Sequence, residues 1–65
     1  MKNQETINKL IHEIETMLGH KIRGMTLRDL HYLSDDCFQS YNDLIGIRID
    51  NLINYMHINN EGVVK

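Results

Sequence analysis

The chain has no proline, no tryptophan and no alanine, and only one cysteine and four glycines among its 65 residues. With so few helix breakers, the composition suits an all-helical chain. A single cysteine, Cys37, excludes an intrachain disulfide, so the staple on which many small scaffolds depend is missing. No apolar run approaches the ~18 residues needed to span a bilayer. The polar faces are too poor in Lys and Arg for a helix lying on a membrane surface. A lone thiol in a chain without a signal peptide leads us to expect a reducing, cytoplasmic setting. Asn and Ile are abundant, the usage expected of AT-rich bacterial genomes and their phages.

A chain of this length forms one domain, residues 1–65, and buries only about 60% of the surface it exposes when unfolded. A self-sufficient core is marginal at that size, and association with another chain is one way to complete it. The net charge of −2 is unevenly spread. Residues 20–33 carry Lys21, Arg23 and Arg28 against Asp29 alone, whereas residues 34–65 carry Asp35, Asp36, Asp43, Asp50 and Glu61 against Arg48 and Lys65. A nucleic-acid binder concentrates its cations on the element that approaches phosphate. Here the long second half is acidic, so nucleic acid is not an expected partner.

Helical periodicity organises the chain. Ile7, Leu10, Ile11, Ile14, Met17 and Leu18 fall within an arc of about 120°, predicting an amphipathic helix over about residues 4–18 that ends at Gly19. Residues 19–25 have loop character. Thr26 with Asp29 resembles a capping box and opens a short helix over 26–33, edged by Leu27, Leu30 and Leu33. Ser34 is a further cap candidate, and Asp35 and Asp36 suit the first turn of a third helix over 35–58. Phe38, Tyr41, Ile45, Ile49, Leu52 and Met56 would then form one apolar stripe about 80° wide. Residues 45–50 alternate apolar with polar or small side chains as a strand does, and Gly46 marks a point where a helix could bend. The stripe nevertheless keeps its helical phase through them. Residues 59–65 read as a terminator and a frayed tail.

Catalytic chemistry finds little footing. His12, His20, His31, Cys37 and His57 lack the short intervals of zinc ligands, so no metal and no cofactor are expected. Cys37 reads as a small core residue, although the first turn of a helix would favour its thiolate. A non-enzymatic protein is expected. Helix-turn-helix DNA binding is the alternative, with a recognition helix starting at Asp35-Asp36-Cys37-Phe38. Those two carboxylates have the wrong sign for a phosphate-lined groove.

The segment Ile49-Asp50-Asn51-Leu52-Ile53-Asn54-Tyr55 resembles the stretch that follows the Ser-Gln-Glu motif in the small two-helix phosphatases of sporulation phosphorelays. Gly46-Ile47-Arg48 occupies the place of that motif, so the resemblance implies no phosphatase activity for this chain.

The fold expected is all-α: a small helical hairpin or three-helix bundle, two longer helices linked by a short one, and dimeric. Tyr41, Leu44, Ile47, Tyr55, Met56 and Ile58 exceed what the core needs and are the candidate interface, either between two copies or with another protein. The function expected is that of a small regulator, inhibitor or adaptor acting through this face.

Overall fold

The computed structural model describes residues 2–65, the side chain of Lys2 excepted, and shows a three-helix bundle. The helices are α1 (Lys2–Leu18), α2 (Leu27–Gln39) and α3 (Asp43–Ile58). Helix α3 packs against both of the others, while the backbones of α1 and α2 stay apart.

Helix α1 buries Ile7, Ile11 and Ile14, spaced so that they lie on one face, and half-buries Leu10 and Leu18. It starts two residues earlier than expected and stops at Gly19, whose φ of 80° lies where a Cβ would clash. The loop that follows is not merely a connector. Ile22 is fully buried in the core, and its N–H donates to Glu15 Oε2 at 2.8 Å. Thr26 and Asp29 form the reciprocal capping box that opens α2. Thr26 Oγ1 accepts from the Asp29 N–H at 3.2 Å, and Asp29 Oδ2 accepts from the Thr26 N–H at 3.1 Å.

The expected break at Ser34 does not exist. Helix α2 runs on to Gln39, and Ser34 lies in its buried face with Leu30 and Cys37, donating its hydroxyl to Asp50 Oδ1 at 2.6 Å. The chain turns instead at Ser40–Asn42. There the Asn42 N–H reaches Cys37 O at 2.7 Å and the Tyr41 N–H reaches Phe38 O at 3.2 Å. That pair of bonds is a Schellman motif with Tyr41 at the left-handed position, φ 62°. The stripe from Phe38 to Met56 is therefore divided between two antiparallel helices rather than carried by one.

Residues 45–50 are helical, and α3 runs through Gly46 without a break. Gly46 is a point of very close approach between α2 and α3. A Cβ at Gly46 would lie 2.7–2.9 Å from three ring atoms of Phe38, so the ring rests on the helix where a side chain would stand. Gly46→Ala should therefore destabilise by about 1 kcal/mol, because overpacking outweighs the gain in helix propensity of about 1 kcal/mol. With Phe38→Ala in the background the sign should reverse, and a double-mutant cycle in urea measures that coupling.

Residues 59–65 are not frayed. A second Schellman motif, with Asn60 at φ 54°, ends α3 and sends the chain back along the loop before α2. Gly24 N–H donates to Val64 O at 2.7 Å, Val64 N–H to Met25 O at 2.8 Å and Leu27 N–H to Gly62 O at 3.0 Å. This short antiparallel pairing places Val64, 3% exposed, against the core. The Arg23 guanidinium also donates to the Lys65 carbonyl. No helix among the described residues is long and apolar enough to cross a membrane.

Candidate docking face

Helix α3 is apolar on more sides than its neighbours can cover. Gly46, Ile49, Leu52, Ile53 and Met56 point into the bundle. At about 100° per residue, Leu44, Ile47, Asn51 and Ile58 occupy an arc of about 60° on the opposite side. Leu44 is 65% exposed, Ile47 49% and Ile58 68%. A helix with a buried face normally turns charge to the solvent. This one turns two isoleucines and a leucine.

The candidate residues separate by position. Leu44, Ile47 and Ile58 line the outward stripe, and Tyr55 is half-buried at its edge. Tyr41 stands in the turn before α3, almost wholly in solvent at 93%. Contrary to the expectation from sequence, Met56 is a core residue, 1% exposed between α3 and its neighbours, and contributes nothing to the outward face. It falls on the inner face because it follows Leu52 by four residues and Ile49 by seven.

Two further residues belong to this surface. Asn51, exposed, sits at the middle of the stripe. Met17, part of the apolar arc that predicts the first helix, is half-exposed at the end of α1 and lines a shallow groove with Tyr41 and Leu44. Asn51 is legible in the sequence only from its equal spacing between Leu44 and Ile58. Met17 cannot be placed without knowing that the chain turns at Tyr41.

Polar groups border the stripe on both sides. On the α1 side, Arg48 Nε pairs with Glu13 Oε2 at 3.1 Å, and Arg48 Nη1 donates to Leu44 O at 3.1 Å. On the α2 side, His31, Asp35, Asp50 and Asn54 line an open groove. An apolar centre within a polar rim is the usual anatomy of a protein interface.

Tyr41 carries a conformational cost. The left-handed region is unfavourable by roughly 1–2 kcal/mol for residues other than glycine, and the side chain recovers little of it through packing. Tyr41→Gly should accordingly raise stability by about 0.5–1 kcal/mol, the strain relief being partly offset by glycine's freedom in the unfolded chain. Thermal denaturation of the two chains, at a concentration too low for pairing, checks it.

Nothing in the side-chain geometry of the described residues assembles a reaction centre. The four histidines are exposed, and among the described residues no group of three or more His, Cys, Asp or Glu is placed to hold a metal ion. Cys37 lies buried in the last turns of α2, not at a helix start, so the dipole there disfavours a thiolate. Burial, with a smaller contribution from the Asp36 carboxylate, pushes its thiol above the ordinary range. Ser34 donates straight to Asp50 with no histidine between them and is 3% exposed, the reverse of an activated nucleophile. The helix expected to enter a DNA groove does not begin at Asp35, because Asp35 and Asp36 lie in the body of α2. No protein-family model, curated protein or solved structure matches the chain.

Proposed function

We propose that this small all-helical domain is a non-catalytic regulator or adaptor that works by docking protein through the outward face of α3. The observation that carries the reading is the exposure of Leu44, Ile47 and Ile58 on a helix whose opposite face already completes the core. A fold of this size gains nothing from three large aliphatic groups in water. Their contiguity within a polar rim suits the apolar centre of an interface, and Tyr41 and Tyr55 beside them are of the residue type that supplies much of the binding energy there.

The test is affinity capture with the immobilised chain, in the presence of nuclease, against an Ile47→Asp variant confirmed as helical by circular dichroism. The wild type should retain a polypeptide that the variant releases. Recovery of nucleic acid alone when nuclease is omitted, or retention that ignores Ile47, would contradict the reading.

A further inference from the structure

We infer that the outward face of α3 is covered by a second copy of this chain, the two α3 helices lying antiparallel about a two-fold axis at Asn51. This rests on the docking reading and names its partner. Three independent features of the face favour a copy of itself over an unrelated protein.

The first is symmetry in the spacing. Leu44 and Ile58 each lie seven residues from Asn51, and Ile47 and Tyr55 each lie four. An antiparallel pair centred there sets Leu44 against Ile58 of the second copy, Ile47 against Tyr55, and Asn51 against itself. Self-complementarity of this kind is what a two-fold interface requires. Two facing Asn side chains each offer a donor and an acceptor, so they satisfy one another. An apolar partner would leave that amide buried without a hydrogen bond, at a cost.

The second is charge. Helix α3 carries Asp43 in its first turn and His57 in its last, both on the α2 side of the stripe. A two-fold axis perpendicular to α3 keeps that side in register, so Asp43 of one copy comes opposite the His57 imidazole of the other, while the two Asp50 carboxylates, each accepting the Ser34 hydroxyl of its own chain, flank the axis. The helix dipoles then also oppose head to tail. A parallel pair would stack like ends together.

The third is area. Tyr41, Leu44, Ile47, Ile58 and Met17, with the exposed parts of Asn51 and Tyr55, present on the order of 700 Å² per copy, an upper bound on what pairing covers and below the ~800 Å² that each partner contributes to a standard interface. Because that is a substantial part of the 4520 Å² total surface, pairing relieves the small domain of much of its apolar exposure.

Sedimentation equilibrium of the full chain from micromolar to millimolar concentration reads the mass. The wild type should reach twice its monomer mass. Asn51→Asp and Asn51→Lys should each weaken pairing at least about tenfold by placing like charges on the axis. An equimolar mixture of the two variants should pair again. For the sense of the helices, Leu44→Cys and Ile58→Cys chains mixed under oxidation should cross-link to each other and not to themselves, the native Cys37 being buried. A wild-type chain that stays monomeric at millimolar concentration overturns the second copy as occupant. A disulfide joining two Leu44→Cys chains overturns the antiparallel sense. Neither result touches the docking reading, which fails separately if capture is indifferent to Ile47→Asp.

Discussion

Replacing Leu52 with Ala should destabilise the chain by about 3 kcal/mol and leave a measurable unfolded fraction in the absence of denaturant. Leu52 is completely buried and sits midway along α3, the helix that both others pack against. Removing its isopropyl group leaves a cavity lined by atoms of more than one helix, and such a site cannot close by moving a single element. A domain of this length holds roughly 3–10 kcal/mol in total, so one such cavity consumes a large share. Urea denaturation followed by helical circular dichroism should show a lower midpoint with an unchanged slope. Leu44→Ala in the same helix, read at a concentration too low for pairing, should change stability by less than about 0.5 kcal/mol, because the side chain is then in water. The contrast separates the inner face of α3 from its outer one.

Removing residues 61–65 should have an effect of similar size, about 3 kcal/mol, or a fall in midpoint temperature of roughly 10–20 °C. Three losses combine. Val64 leaves the core, the N–H groups of Gly24 and Leu27 lose their carbonyl acceptors, and the Met25 carbonyl loses its donor. The tail also covers Ile7, Ile11 and Met56 at one end of the α1–α3 seam, which its removal would open to water. Val63→Ser should matter much less, since Val63 points outward at 43% exposure. A thermal melt of the shortened chain that matched the intact one would mean that the tail rests on the bundle without supporting it.

Helix α1 and the capping box at Thr26 are legible in the sequence because their signals are local. Periodicity and a side chain bonding to its own next turn need no knowledge of the rest of the chain. The bend between the second and third helices is not legible in the same way. Ser34-Asp35-Asp36 carries true helix-start chemistry, and only the tertiary contact with Asp50 shows that Ser34 is buried in mid-helix. The real turn has no proline or glycine to mark it, since Tyr41 takes a conformation that glycine usually fills. Phe38 and Tyr41 happen to stay in phase with Ile45, and for that reason the stripe looks continuous across a reversal of the chain.

Gly46 shows the same division. Its small size is visible in the sequence, but its purpose, a seat for the Phe38 ring, depends on the α2–α3 approach. The tail escapes a local reading because Val63 and Val64 find their partners some forty residues earlier in the loop before α2, and no local pattern reports a pairing of that range. Within the candidate face, Leu44, Ile47 and Ile58 can be found as apolar residues outside the narrow stripe. Met56 is separable from them in the sequence as well, since it follows Leu52 by four residues and Ile49 by seven and so belongs with the inner face.

The proposal that association uses the outward face of α3, while the fold does not depend on it, is tested most directly by backbone amide resonances. The quantity to follow is which of them shift when the isotopically labelled chain associates, whether with a captured polypeptide or with itself as concentration rises. Shifts should concentrate at Leu44, Ile47, Asn51, Tyr55 and Ile58, extending to Tyr41 and Met17. Shifts centred instead on the α2 groove around His31 and Asp35, or on the outer face of α1 around Lys9 and His12, would contradict it.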